Sequence, residues 1–556
     1  MKRKESILYS AALLLTVMIT ACSKDFLDRP PKDAVTDGNF YKTDDQVLGA
    51  TALLYSKVWF DYNDKASYNL GDFRAGTAYS AWNDRGNVLF NTTGNTPENG
   101  FAWRSFFIVV GQANLAIENI NTYAGEGVSP AVKKMAIAEA RFMRALAYRF
   151  LVMNWGPVPI IENNLTLLSD TSITRNTVPS VWRFITNEMR AAAEDLPLTP
   201  ARPGRLTRWS AEAMLARFYL TRAGVEGNGQ RNQQFLDSAK YFAERVITQG
   251  PYRLLNDYAS LFRYPYDNNS ESVFSLQWAF SPGAWGSQNS TPAYLAYSPD
   301  IANGDGWGGD KGATWWMISL YDGITVTPDG RMQGRTLDQR LKATYMLPGA
   351  YYPEITQSIP GGEQQLIYPQ LGTDVNFCAI KKYVCGKAKD MDGKAASQYY
   401  EYDTYMMRLA ELYLIYAEAE LGNQASTSDA RALEYFNAVH MRAGLPRFED
   451  PLTLDVILKE RFIEFAMEGM AWYDLVSLHY WNPQKAYDIL NSQDRGFFYA
   501  EADRIPDPTS WTFTKTEWNT TERNIIANSG NFLLPIPAAE LSQAPNLNKA
   551  PVDYYQ

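Results

Sequence analysis

The sequence predicts a mainly α-helical protein in which helix pairs form a scaffold and carry a large, irregular, loop-rich portion. Three observations lead to this class. Apolar residues recur at helical spacing over long stretches before about residue 250 and again after about residue 400. Between them the texture changes to Gly, Pro, Asn and Tyr, with only short apolar runs such as "SVFSLQWAF". The aromatic content is high, with 15 Trp and 35 Tyr in 556 residues, while 46% hydrophobic and 20% charged residues are ordinary for a globular chain.

Taken in order, the chain opens with "MKRK", an apolar run from Ile7 to Ala21, and then Cys22. The run is shorter than the ~20 residues of a membrane helix, and its basic flank fits a secretory signal covering residues 1–21. Losing Lys2, Arg3, Lys4 and Glu5 with that signal moves the formal charge of -9 two units further negative. An acidic chain without a basic run does not fit nucleic acid, which requires clustered Lys and Arg. The body divides into an N-terminal part, residues 22–270, and a C-terminal part, residues 271–556, that holds the loop-rich insert.

Ser129 and Pro130 supply an N-cap and first-turn pair for a long amphipathic helix that stops at Gly156 and Pro157. Further helices are predicted at "RWSAEAMLARFYLTRAG" and "NQQFLDSAKYFAERVITQG", each ended by glycine. Their alternation of Ala with large apolar residues suits stacked pairs of the tetratricopeptide kind, although the strict repeat signature is degenerate. Helices return at "TYMMRLAELYLIYAEAELG", "DARALEYFNAVHMRAG" and "LTLDVILKERFIEFAMEGMAWYDLVSLHYW". Trp155, Trp209 and Trp472 sit on helical stripes and are assigned to the core. Cys378 and Cys385 are read as unpaired: no turn separates them, and seven extended steps span about 23 Å, far beyond disulfide reach.

Residues 281–312 hold Trp285, Tyr294, Tyr297 and Trp307 among seven glycines and three prolines. Such a segment forms neither a long helix nor a long strand, and loops beyond about 12 to 15 residues tend to be functional. A second segment, Asn69–Asn87, places Tyr79 and Trp82 beside Asp72, Arg74, Asn83 and Asp84. Exposed Trp or Tyr rings cover the C–H face of a pyranose, while Asn, Asp and Arg pair with its hydroxyls. The expected site is therefore a stacking platform of Trp82, Trp285 and Trp307. Tyr79, Tyr294 and Tyr297 are auxiliary rings, and Asp72, Arg74 and Asn83 are hydrogen-bonding partners. Packing of these rings onto the helices is the competing structural reading.

Other chemistry finds less support. Glu460, Glu464 and Glu468, four apart on a predicted helix, have the residue type of a glycosidase pair, but like charges at that spacing repel and call for basic partners such as Arg461. His440 and His479 sit in no metalloprotease or triad arrangement. "GDGWGG", Gly304–Gly309, matches a dinucleotide fingerprint literally but lacks the flanking strand and helix. Asn303, Asp305 and Asp310 lack the twelfth-position acid of a calcium loop and are read as solvated turn residues. No metal or cofactor is expected.

Several stretches together resemble the SusD/RagB-like family of outer-membrane nutrient-binding lipoproteins. "AEARFMRALAYRFLVMNWGPVPI", "RLAELYLIYAEAE", "FNAVHMRAGLP", "ILKERFIEFAMEGMAWYDLVSLHYW" and "FLLPIPAAELSQAPNLNKAP" occur in the order of that family, and Ala471 and Ser477 depart from its usual arginines. "ITAC", Ile19–Cys22, resembles a lipobox, and "SKDFLD" resembles an export signal of Bacteroidetes lipoproteins. The resemblance implies a lipidated Cys22, an outer-membrane location facing the exterior, an oligosaccharide or polysaccharide ligand, and a SusC-like TonB-dependent transporter as partner. It implies a binding protein and no enzyme. The resemblance leaves a peptide-binding RagB-type receptor as the alternative; a glycoside hydrolase and a structural lid without a ligand are the others.

Overall fold

The computed structural model describes residues 40–82, 84–168, 172–227, 229–369, 377–516 and 523–555. The signal segment, Cys22 and Asn83 lie outside them.

A first short helix, α1 (Asp44–Ala52), is closed by a capping box between Thr43 and Gln46. The scaffold follows as α2 (Pro97–Tyr123), α3 (Pro130–Trp155), α4 (Val178–Asp195), α5 (Arg208–Arg222), α6 (Gln233–Gln249), α7 (Leu409–Leu421) and α8 (Ala430–Arg442). Each packs on the next in chain order. The link from α6 to α7 holds in space although residues 250–408 intervene in sequence, so that insert is carried on a continuous helical stack. The predicted ends hold where a cap exists: the Ser129 hydroxyl accepts from Val132 N–H, and Gly156, at φ 72°, ends α3 in a conformation that suits glycine. Trp155, Trp209 and Trp472 are buried, as are the free thiols of Cys378 and Cys385.

Two segments differ from the sequence reading. Thr404–Arg408, expected to open α7 as helix, is a strand paired antiparallel with Ser272–Leu276. The partner strand satisfies its backbone, and tertiary pairing overrides local helical preference. The long helix expected over residues 452–481 is broken into α9 (Leu454–Glu464) and α10 (Ala471–His479), and α11 (Pro483–Asn491) follows. At the break, Met467 and Gly469 have φ of 63° and 70°, and their N–H groups donate to the Asp72 carboxylate at 2.7 and 2.8 Å. Gly71 faces Gly469 so closely that a Cβ would lie 2.3 Å from the Gly469 Cα. A carboxylate from residue 72 therefore takes over donors that the helix would have used.

The insert has its own apolar core, separate from that of the helices. Ala78–Ser80, Lys311–Ala313, Ala379–Ile380 and Tyr345–Met346 form one four-stranded sheet, in that order. Phe498–Ala502, Trp511–Lys515, Met332–Gly334 and Ile324–Val326 form another.

A buried ion network joins insert to scaffold. Glu464 of α9 accepts from Arg408 at 2.9 Å, Arg442 at 2.6 Å and Arg340 at 3.1 Å. Arg408 also meets Glu271 at 2.6 Å and Glu468 at 2.7 Å, and Glu468 takes Lys382 at 3.0 Å. Arg340 reaches Glu460 at 2.6 Å and Asp338 at 2.8 Å. Glu468 lies beyond the end of α9, so the three acids do not share one helical face as expected. Arg461, the expected partner, turns instead to Asp474 at 2.7 Å and Glu411 at 3.4 Å.

Burial pushes the Glu464 carboxyl upward, but the charges of Arg442, Arg408 and Arg340 outweigh it and hold the group down at about 2, against an ordinary 4.5. The stabilisation this represents is fully present above the unfolded value and is lost as pH falls through the folded one. Glu464→Gln leaves buried guanidiniums under-compensated and is expected to lower unfolding free energy by about 3 to 5 kcal/mol at pH 7. In urea denaturation, the gap between variant and wild type should narrow between pH 4.5 and pH 2.

Candidate functional site

The three tryptophans of the expected platform stand on the surface. Trp82 is 70% exposed, Trp285 52% and Trp307 57%. Large apolar rings left in water are informative when their backbone is fixed, because fixed rings do not fold inward to hide.

Trp307 lies in "GDGWGG". A Cβ on Gly306 would come 2.3 Å from Ser298 C, and one on Gly308 would come 2.1 Å from Leu295 O. These flanking glycines let the strand of chain lie flat on its neighbours, where Trp307 N–H donates to Ala293 O at 3.0 Å and Gly308 N–H to Ala296 O at 2.7 Å. The run is a close-packing device rather than a nucleotide loop. Trp82 is tied to the same place. Its N–H donates to Asp310 Oδ2 at 3.3 Å, and Ser80 donates to that oxygen at 3.0 Å. Asp310 Oδ1 pairs with Lys311 Nζ at 2.6 Å, and that ammonium also donates to Trp307 O at 3.2 Å. One buried ion pair thus anchors the backbones of two exposed tryptophans. Lys311 lies 4.3 Å from the centre of the Tyr294 ring.

Trp285 sits between Gly283 and Gly286, both with φ above 90°. Its ring meets Phe60 edge-on at 5.4 Å and Tyr399 at 5.8 Å. Below this loop, Asn63 Nδ2 donates to Asn289 Oδ1 at 2.8 Å, and Asn289 Nδ2 donates to Tyr402 O at 2.7 Å.

The expected auxiliary groups divide. Tyr294 is half-buried, stacked on Tyr68 at 5.1 Å, and its hydroxyl donates to Asp84 at 2.6 Å. Burial first, and the Asp84 charge second, push its phenol well above the usual value. Tyr79 and Tyr297 are buried, packed edge-on against Phe497 at 4.7 Å and Tyr368 at 4.9 Å. Asp72 has no exposed surface; it accepts from Met467, Gly469 and Thr77, and burial lifts its carboxyl to about 6. Arg74 is buried between Phe90 and Trp472, donates to the carbonyls of Asn531 and Phe532, and is lowered by burial to about 9. The assignment of Tyr79, Tyr297, Asp72 and Arg74 to ligand contact is therefore corrected. Polar residues between aromatics read as hydroxyl partners in sequence, but here they satisfy buried backbone. Most of Asn69–Asn87 is interior, and Trp82 is its exposed ring.

Asp84, Asp310, Lys311, Phe60 and Tyr399 escaped selection as site residues. Proximity to Trp82 and Trp307 in sequence marked the first three; nothing local marked the last two. An adjoining cleft of ≈ 230 Å³ is lined by Lys65, Asn69, Asp84 and Phe101. The turn residues read as solvated are hydrogen-bonded: Asn303 to Tyr400 and Ala388, Asp305 to Ser397, and Asp310 as described. The side chains of Glu460, Glu464 and Glu468 are covered and paired with cations, a state opposed to general-acid work. His440 pairs with Glu460 at 2.9 Å. His479 lies against Phe532 and is lowered by burial to about 4.

Residues 270–555 match the model described as "SusD family", and residues 25–220 match one described as "Starch-binding associating with outer membrane". A SusD-like protein of Bacteroides ovatus is 35% identical over 100% of this chain and 98% of its own length.

The chain belongs to the SusD family.

The starch-binding protein SusD of Bacteroides thetaiotaomicron is a more distant SusD relative, 23% identical over 84% of this chain and 89% of its own. A crystal structure determined with xylogluco-oligosaccharide superposes with a TM-score of 0.79 at 33% identity, covering 92% of this chain and 99% of that one.

Gly308→Ala tests the pinning of Trp307. With Leu295 O in the way of the new methyl, the loop must lift, and a loss of about 1 to 3 kcal/mol in unfolding free energy is expected from urea denaturation.

Proposed function

We propose that this SusD-family protein captures oligosaccharides on the Trp82, Trp285 and Trp307 surface and passes them to a SusC-like TonB-dependent transporter, without catalysing a reaction. The observation that carries the reading is the exposure of three tryptophans, each more than half open to solvent; glycine close-packing and a buried ion pair fix the backbones of Trp307 and Trp82, and Phe60 and Tyr399 hold the Trp285 ring. Rings held in advance lose little freedom on binding, so more of the stacking energy appears as affinity.

The ligand class proposed is a β-linked glucan such as xylogluco-oligosaccharide. A β-1,4-glucan backbone is an extended ribbon with flat C–H faces, which suits separate open rings better than an enclosing pocket. The relative solved with that ligand, at 33% identity, supports this choice. Tyr294 and the Asp84 carboxylate form the polar floor beside Trp82, and Lys65, exposed near the Tyr294 ring, is placed to meet hydroxyls. Asn83 remains a proposed partner. Cys22 would carry the lipid that holds the body to the outer face of the outer membrane, where burial of each CH₂ contributes about 0.8 kcal/mol. The neutralised glutamates support binding without hydrolysis.

Titration calorimetry of the full chain with xylogluco-oligosaccharide, followed by analysis for cleavage products, tests the reading. Saturable binding of intact ligand is expected. Each single Trp→Ala change should weaken it by about 1 to 2 kcal/mol, roughly five- to thirtyfold, and the triple change should abolish it. A folded triple variant with unchanged affinity, a preference for peptides, or released product would each overturn the proposal.

A further inference from the structure

A cleft of ≈ 550 Å³ has no part in the tryptophan surface. It opens where the Arg335–Gln339 turn meets the loop after α8: Gln339 N–H donates to Ala443 O at 2.9 Å, and a Cβ on Gly444 would touch Leu337 O at 3.1 Å. Its size falls within the range of small-molecule sites.

The charges of the cleft sort by depth. At the rim stand Arg335 and Arg447, both exposed and without an ion-pair partner among the described residues. The third rim cation, Lys459, is already matched by Asp322 at 2.6 Å. The acids further in are also matched: Asp338 and Glu460 lie on Arg340. Two guanidiniums are therefore left uncompensated around one mouth. Guanidinium forks suit a carboxylate.

At the floor lies His440, nine-tenths buried. Its Nδ1 is 2.9 Å from Glu460 Oε2. Glu460 is held as a carboxylate, below its ordinary range: burial opposes ionisation, but Arg340 and His440 outweigh it. A carboxylate only accepts, so Nδ1 donates to it, and Nε2 is the ring's other hydrogen-bonding atom. That nitrogen has no hydrogen bond among the described residues, although the ring lines the cleft. The ring itself is fixed by Phe436 at 5.5 Å and Phe448 at 6.1 Å. Between rim and floor the walls are apolar, with Leu337, Phe448 and Ile463 facing the space.

We propose that this cleft is a second binding site, for small hydroxyaryl carboxylates, with the carboxylate on Arg335 and Arg447, the ring between Leu337 and Phe448, and the hydroxyl hydrogen-bonded to His440 Nε2. The order of groups in the ligand follows from the order in the cleft. An anion alone leaves the floor nitrogen unanswered, and a phenol alone leaves the two guanidiniums unanswered.

The test is calorimetric titration of the full chain with 4-hydroxyphenylacetate, and with two probes that each lack one feature: phenylacetate, without the hydroxyl, and 4-hydroxyphenylacetamide, without the charge. One-site saturable binding of the first is expected, with each of the others weaker by about tenfold or more. The double variant Arg335→Gln, Arg447→Gln changes two exposed side chains. It should keep the wild-type unfolding temperature and lose affinity for 4-hydroxyphenylacetate by about tenfold or more. Absence of saturable binding at millimolar concentration, equal affinity for the three probes, or unchanged affinity in the folded double variant would overturn the proposal.

Discussion

The convergence of Arg340, Arg408 and Arg442 on Glu464 is the interaction that makes this a single structure. Arg340 and Arg408 come from the insert and its last strand, Arg442 from α8, and Glu464 from α9. Each guanidinium would be untenable in that interior alone, and each carboxylate likewise; together they neutralise one another. The helical stack and the insert have separate apolar cores. Apolar contact is tolerant of sliding, whereas fork-to-carboxylate geometry is not. The network therefore fixes where the insert sits on the stack.

The same logic recurs on a smaller scale under the tryptophans. Asp310 and Lys311 are buried side chains whose oxygen and ammonium hold main-chain groups of Trp82 and Trp307, residues far apart in the chain. Glycine serves there through its missing side chain, since the Gly306 and Gly308 backbones lie where a methyl would collide with Ser298 and Leu295. The backbones of Trp82 and Trp307 are fixed because the groups beneath them are polar and satisfied, while their rings stay open to solvent.

Much of this was legible beforehand. Capped helices with a clear apolar stripe were found with the right ends, because their signals are local: Ser129 and Gly156 bracket α3 by their own backbone preferences. Trp285 and Trp307 stood in Gly- and Pro-rich sequence, where burial in a regular element is excluded, and Trp82 stood among polar residues of Asn69–Asn87. Asp72, Arg74, Tyr79 and Tyr297 were misplaced for a single reason: a polar or aromatic residue in a loop has the same local appearance whether it meets solvent or a distant backbone. Asp72 meets Met467 and Gly469, and Arg74 meets Asn531 and Phe532. Nothing near residue 72 or 74 announces those partners.

By itself, then, the sequence determined the helical class, the interrupted scaffold, the resemblance to the SusD family, and which tryptophans have no helix to hide in. These properties depend on periodicity, caps and composition, which act within a few residues. Only the tertiary structure decided that residues 404–408 pair as a strand, that the helix before Trp472 breaks for Asp72, that one ion pair holds the backbones of Trp82 and Trp307, and that His440 lines a cleft rimmed by Arg335 and Arg447. Each of these rests on a partner that lies far away along the chain, and a buried charge or hydrogen-bonding group takes its meaning from the partner that folding brings to it.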